Sequence, residues 1–343
     1  MKDLQPRISI GLPVYNGEKF LEASLNSLLA QTFKDFELII SDNASTDRTR
    51  EICQAYAAQD KRIRYYYNQE NRGPAWNYNR VFELSRGEYF KWAAHDDICA
   101  PEFLEKCTEV LDNHPYVVLC YPKTKIINEF SELIQNYNVE LKTSSPKPHE
   151  RFYDLTRLHH RCYQIFGVIR SSILSSTPLI GNYAGSDRVL LARLSLHGQF
   201  GELPEYLFSA RRHSQQSIEI LFNPKRKLTR LHQYSVWFDP ANASRIILPN
   251  WRIFHEYLMS IQQAPLSLYE RICCYLQMVH WLSAYWNWAK LGRDLPIATI
   301  QLLGHVYKNL NNQRHKNSED CFGCTTPRSG YSSLSQLPRN LDL

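Results

Sequence analysis

Two adjacent carboxylates, Asp96 and Asp97, stand behind His95 and an apolar Trp-Ala-Ala run. Paired oxygen donors suit a hard cation such as Mg2+ or Mn2+. They suit equally the free amides at the start of the helical stretch 101–111 that follows. Three further turns carry polar or glycine-bearing chemistry: Pro13-Val14-Tyr15-Asn16-Gly17, Asp42-Asn43-Ala44-Ser45-Thr46-Asp47 and Asn71-Arg72-Gly73. Each follows an apolar run with strand character, and open parallel sheets bind ligands beyond the carboxyl ends of their strands. Neither a G-x-G-x-x-G turn nor a G-x-x-x-x-G-K-[ST] loop follows any of these strands, which sets aside those two nucleotide-binding designs.

The elements that must carry these turns are legible from periodicity. Residues 8–14, 36–42, 63–67, 88–93 and 117–121 are short apolar runs. Between them, 18–31 places Phe20, Leu21, Leu25, Leu28 and Leu29 on one helical face, and 46–59 and 76–85 do likewise. Strands alternating with helices predict a parallel sheet with crossover helices. A polar loop is expected over 129–150, then a helix over 151–164 and a strand or strand-plus-turn at 165–174. A helix over 186–197 closed by Gly198 and a strand at 204–213 complete this part. Long aromatic-rich helical segments follow, and 311–343, polar and rich in Ser, Pro and Asn, is expected to fray.

The chain has 343 residues, 40 basic against 34 acidic, a formal net charge of +6, and 43% hydrophobic and 13% aromatic content. That length fits one large domain with an appendage or two domains, and the composition excludes collagen-like and disordered classes. A modest positive balance without a long basic block points to an anionic ligand or an acidic membrane surface, and nothing supports nucleic acid. Nine cysteines, an odd and scattered set, do not read as a disulfide framework. Cys321 and Cys324 form a C-x-x-C with no second pair or spaced histidine to complete a zinc site. Charge and proline near the start leave no apolar core for a signal peptide, so a reducing cytoplasm is the expected location.

Taken in order, PVYNG, SDNASTD, NRG, HDD and the later GSDRVLLARL resemble the family 2 glycosyltransferases with the GT-A fold. The resemblance covers residues 7–217 and implies an α/β domain there, a nucleotide-diphospho-sugar transferase with a Rossmann-like mixed sheet. An α-helical, aromatic-rich C-terminal region over 218–310 and a flexible tail over 311–343 would follow. It further implies inverting transfer from a nucleotide-diphosphate sugar, a UDP- or dTDP-sugar, to a hydroxyl of a sugar or lipid-linked glycan. A divalent metal, Mn2+ or Mg2+, and a place in cell-surface polysaccharide synthesis belong to the same implication.

Residue roles follow from the resemblance one position at a time. Asp97 would touch the metal most directly, with Asp96 on metal, ribose or sugar, and His95 replaces the first acid of the D-x-D form. Asp42 would accept the uracil imide N–H, and Tyr15, in a turn with Pro13 and Asn16, would stack on the base. Arg72 and Gly73 precede a helix N-terminus suited to phosphate. Asp187 would be the base that deprotonates the acceptor, with Ser186 standing where the family often has a second acid. Arg211 and Arg212 would neutralise phosphate, and His213 would contact metal or diphosphate. Beside these stand plain structural roles: capping for Asp42 and Asp187, a core place for Tyr15, and a helix start for Gly73-Pro74.

Two rival functions remain open at this level. A sugar-phosphate nucleotidyltransferase would need a glycine-rich loop after the first strand, which GLPVYNG is not. A homologue that binds nucleotide sugars without turnover is conceivable because His95 and Ser186 replace acids. Residues 272–289 carry no formal charge over eighteen positions. They fit a packed helix of a homo-oligomer or acceptor lobe, a peripheral contact with the inner face of the plasma membrane, or a spanning helix. Gln277, His280 and Asn287 at helical spacing argue against spanning.

Overall fold

A computed structural model of the chain describes residues 5–216 and 230–322. The first two apolar runs become β1 (Ile8–Val14) and β2 (Phe36–Asp42), buried at every position. Such strands are covered on both faces, which is why they read as continuous apolar runs. They pair in parallel from Ile8↔Phe36 to Val14↔Asp42. β3 (Ile63–Tyr67) joins β2 and β4 (Tyr89–Trp92) joins β1, both in parallel.

The other half of the sheet is mixed. β5 (Ile98–Cys99), β6 (Val117–Ile127), β7 (Leu133–Tyr137), β8 (Val168–Arg170) and β9 (Gln199–Arg211) extend it to the order β3-β2-β1-β4-β8-β6-β9-β5, with β7 beside β6. β8 runs antiparallel to β4 and β6, while β6 and β9 are parallel. β7 lies inside the stretch expected as a polar loop. Its residues are mostly exposed, so no apolar alternation announces it.

Alternate side chains of the sheet feed two cores. On one face Ile8, Ile10, Leu12, Leu38 and Ile40 meet α1 (Leu21–Leu29), α2 (Thr49–Gln59) and α4 (Phe103–Asn113). On the other, Ile39, Phe90 and Trp92 meet α3 (Pro74–Glu83), α5 (Pro148–Arg157) and α7 (Ser186–His197). The stretch expected as one helix over 151–164 is α5 followed by a separate 3-10 turn at Tyr163–Phe166. A short α6 (Ser171–Leu174) follows β8.

Past the undescribed stretch come α8 (Arg230–Phe238), a 3-10 turn at Pro240–Ser244, α9 (Pro249–Gln263) and α10 (Leu268–Ser283). Tyr257, Ile261, Cys274, Met278 and Trp281 enter the same core as Phe152, Leu190 and Leu194. The division expected at 217 is therefore not a break in packing, and one compact unit spans Met1–Ile297. The second unit, from Ala298, carries most of α11 (Asn287–Phe322). The first part of the expected tail is thus helical; Cys324 and the rest lie outside the described residues.

Residues 272–289 do not form one helix. The chain breaks at Ala284–Trp286, where Tyr285 and Trp286 take φ of 49° and 58°, values that interrupt any helical ladder. Among the described residues no helix is long and apolar enough to cross a membrane.

Candidate active site

The carboxyl ends of β1, β2 and β4 converge, and their turns tie to one another. Ser45 Oγ and Thr49 Oγ1 accept the amides of Asn16 and Gly17 at 2.9 and 2.8 Å, and Asn16 Oδ1 accepts Thr46 N at 2.9 Å. Asn43 Nδ2 donates to Asn71 Oδ1 at 2.8 Å, and Asn43 Oδ1 accepts Arg72 N at 3.2 Å. A Cβ at Gly17 would lie 2.8 Å from both the His95 ring and the Val14 side chain, so a larger residue there would have to push them aside. These turns open onto a cavity of about 720 Å³.

Pro13, Tyr15, Asn16, Gly73, Asp96, Asp97, Arg211 and His213 stand on its wall, as the sequence leads one to expect. Four expected residues do not. Asp42 is fully buried, its oxygens taken by Ser45 N and the Tyr65 hydroxyl at 2.9 Å each, so it braces the turn, and Asn43 faces the cavity instead. Arg72 lies over the Trp76 ring at 4.5 Å and pairs with Glu70 at 3.8 Å. Asp187 lies off the wall, and Arg188 N donates to its Oδ1 at 2.8 Å. Arg212 lies off it too, with Nε enclosed and unpartnered.

The carboxylate pair is differently treated on its two members. Burial pushes the Asp97 carboxyl well above the usual carboxylate range, and the charge of Asp96 adds to this. Burial acts on Asp96 too, but the His213 hydrogen bond and the charges of His95 and His213 outweigh it and hold that group low. The two carboxyls are thus biased in opposite directions, and the buried Lys91 side chain opposes the shift on Asp97.

Arg211, expected on phosphate, is a clamp. Its Nε donates to Asp96 O at 2.8 Å, its Nη1 to Asn128 O and Ser131 Oγ at 3.0 Å each, and its amide to Asp97 Oδ1 at 2.9 Å. His213, expected on metal, spends Nε2 on Asp96 Oδ2 at 2.9 Å and packs on Phe20 at 4.8 Å.

Do these residues fit a divalent ion? Among the described residues no group of three or more His, Cys, Asp and Glu side chains forms a protein cage. Two adjacent carboxyl groups on the cavity wall do fit Mg2+ or Mn2+ of the kind that takes its remaining ligands from substrate phosphates and water.

Sequence reasoning missed several wall residues. Tyr78, on the first turns of α3, carries a hydroxyl in the field of Asp96, Asp97 and Asp187 at once, and burial raises its pKa. Its place behind Gly73-Pro74 was a usable signal. Arg161 and Tyr163 arrive from the turn after α5, and Val236, Trp237 and Pro240 from α8 and the turn beyond it. That last segment is fastened by Ala184 N to Ser235 Oγ at 3.3 Å and by Asn242 Nδ2 to Asn182 O at 2.7 Å. No local pattern marks these positions.

Comparison with known proteins bears on this arrangement. Residues 9–175 match the profile of Glycosyl transferase family 2. The chain is 36% identical over 118 residues to an uncharacterized glycosyltransferase of Rickettsia typhi, covering 34% of this chain and 36% of that one. It is 36% identical over 111 residues to the putative teichuronic acid biosynthesis glycosyltransferase TuaG of Bacillus subtilis, covering 32% and 44%. The matches span less than half the length of these relatives. TarS 1–349 of S. aureus, solved in complex with UDP-GlcNAc, superposes with a TM-score of 0.50 at 18% identity over 81% of this chain and 91% of that chain. The fold is thus the expected GT-A arrangement of a mixed sheet with helices, followed by helices.

Proposed function

Over residues 9–175 the chain belongs to glycosyl transferase family 2, and from that premise we propose that it moves a sugar from a nucleotide-diphosphate donor to an acceptor hydroxyl with inversion. The observation that carries this reading is the adjacent Asp96 and Asp97, the second buried and the first partly so, on the wall of a cavity that also presents the half-exposed Tyr15 ring. UDP- or dTDP-sugars are the donors proposed, with Tyr15 stacked on the base and Asn43 as a polar contact in place of Asp42. UDP-GlcNAc, the ligand in the TarS complex, is the first donor to try. Cell-surface polysaccharide synthesis is the proposed setting, in keeping with the name of the TuaG relative.

Asp97, with Asp96 beside it, would hold a Mn2+ or Mg2+ ion. When bound, the ion supplies positive charge against the charge that grows on the leaving diphosphate. The chain's own groups do the rest. Arg211 fixes Asp97 through its amide and Asp96 through its guanidinium, so the pair is held from behind. Asp187 is the proposed base, which requires its carboxylate, off the cavity wall here, to turn toward the acceptor: the acceptor oxygen would bond to the anomeric carbon as the bond to the phosphate oxygen breaks, and the hydroxyl proton would pass to Asp187.

Release of UDP from UDP-sugars with Mn2+, with and without acceptor, tests the reading. Asp97→Ala should abolish it and the exposed Asp35→Ala should not; turnover by Asp97→Ala would overturn the site. Asp187→Asn should keep donor binding and lose transfer. Donor binding without any transfer or hydrolysis by the native chain would favour a non-catalytic binding protein.

Ile272, Leu276, Val279, Trp286 and Trp288 are all about half exposed or more, while Cys274, Met278 and Trp281 face the core. We propose that this face rests against the inner surface of the plasma membrane, where tryptophan is favoured. Failure to sediment with anionic liposomes at low salt would leave the face to a second copy of the chain.

A further inference from the structure

The cavity wall is not uniform in charge. Its charged side chains come from the turns after β1, β4 and α5, and from β9 and the residues just past it. Helices α3 and α8, which pack against each other, contribute none among the described residues: Asn77 and Tyr78 stand on the first, Val236 and Trp237 on the second. Of the aromatic rings that the described residues bring to the wall, only Tyr15 and Trp237 are exposed, at 44% and 38%. An indole left open to water holds apolar area whose burial is favourable, and a ligand with an apolar face would bury it.

Trp237 is held in place from several directions. Tyr234 stacks on it, with ring centres 5.3 Å apart and planes 13° from parallel, and so backs the indole with protein. Just past it, Phe238 O and Pro240 Cδ crowd Gly73, where a Cβ would lie 2.8 Å from the first and 2.7 Å from the second. The same segment is bonded to residues 182–184. Ser235 Oγ accepts Ala184 N at 3.3 Å, Asp239 Oδ2 accepts Asn182 Nδ2 at 3.0 Å, and Asn242 Nδ2 donates to Asn182 O at 2.7 Å. Trp237 is therefore carried onto the wall by a segment that bridges the start of α3 to the turn before α7.

We infer that Trp237 is a stacking platform for a neutral pyranose ring and so helps to set which sugar the protein takes. A pyranose offers an apolar face of C–H bonds that an aromatic plane covers, whereas a phosphate would seek charge that α3 and α8 do not supply here. The base already has Tyr15 in the proposed function. The platform rests on that transferase reading for the sugar as substrate, and the ring is that of the donor or of the acceptor, which share this chemistry.

Titration calorimetry on the full chain in Mn2+ buffer compares UDP, UDP-glucose and UDP-GlcNAc, and then methyl glucoside and methyl N-acetylglucosaminide with UDP saturating. Trp237→Leu keeps apolar bulk without the ring and should leave the affinity for UDP within about twofold. A loss of about three- to tenfold in the affinity for a UDP-sugar relative to UDP assigns the platform to the donor's sugar, and the same loss for a methyl glycoside assigns it to the acceptor's. Trp237→Phe, which keeps a smaller ring, should recover part of either loss. Tryptophan emission of the native chain should also change when the sugar binds, and that change should vanish in Trp237→Phe, a readout that holds even if Trp237→Leu melts early. No loss for any sugar-bearing probe overturns the inference. So does an equal loss for UDP itself, which would give the indole to the base. If UDP fails to bind the native chain, the transferase reading falls, while the methyl glycosides alone, read by tryptophan emission, still decide the platform.

Discussion

Replacing His213 by alanine isolates what the imidazole does for the carboxylate pair. Its Nε2 meets Asp96 Oδ2 at 2.9 Å, and the two side chains are only 6% and 14% exposed, so solvent does little to screen or replace the bond. A hydrogen bond to a charged group in such a place contributes about 1.5–3 kcal/mol. At 1.4 kcal/mol per decade, that corresponds to a loss of about 10- to 150-fold in affinity for UDP with Mn2+ if Asp96 must be held to bind them. Truncation also removes the ring from its place against Phe20, 4.8 Å away, so His213→Gln, which keeps an N–H and some bulk, should recover part of the loss. Calorimetric titration of UDP in Mn2+ buffer reads the effect directly. A change under about threefold for His213→Ala would refute the idea that the imidazole sets Asp96, since it falls below the value of one such bond.

Other outcomes can be checked as simply. Glu37 is 4% exposed and accepts from Ser9 Oγ at 2.6 Å and Arg64 Nη1 at 2.6 Å. Glu37→Gln should cost about 2 kcal/mol, lowered from a fully buried pair because Arg64 and Arg86 reach solvent, and melting should fall by about 3 °C. Burial works against the Glu37 carboxylate, but Ser9 and Arg64 hold its pKa below the ordinary value. Its contribution is therefore complete above the unfolded glutamate pKa of about 4.3 and lost as pH falls through the lower folded value, so melts of the two proteins should converge in acid. Gly73 has φ of 83°, and a Cβ there would lie 2.7 Å from Pro240 Cδ and 2.8 Å from Phe238 O. Gly73→Ala should lower stability by about 1–3 kcal/mol and weaken UDP binding; an unchanged melting curve would mean the Pro240 segment moves aside freely.

How far the sequence could be read follows from burial and chain distance. Strands β1 to β4 were legible because sandwiched strands are continuous apolar runs. β5 has only two residues, and β7 presents exposed Leu133 and Ile134 without alternation, so neither leaves a pattern. Wall residues in the turns after β1, β3 and β4 were legible because the ends of parallel strands are shared ground. Asp42 and Arg211 were given to ligand because a sequence shows a charge but not what answers it; each is consumed by internal donors or carbonyls. Arg161 and Trp237 needed the tertiary fold, since each reaches the cavity from an element with no motif of its own.

The Trp237 and Pro240 wall also bears on what may be exchanged between relatives. These residues, like Arg211 and His213, lie beyond the matched stretch 9–175, yet they share one cavity with Tyr15 and Asp97. The cavity is thus built from two stretches of chain, only one of which lies within the matched residues. A chimera that keeps 9–175 and takes its later helices from another relative would have to rebuild the Gly73–Pro240 contact and the Ser235–Ala184 bond before the cavity closed again. The two stretches can in this way drift apart in sequence only as far as the few contacts that join them allow.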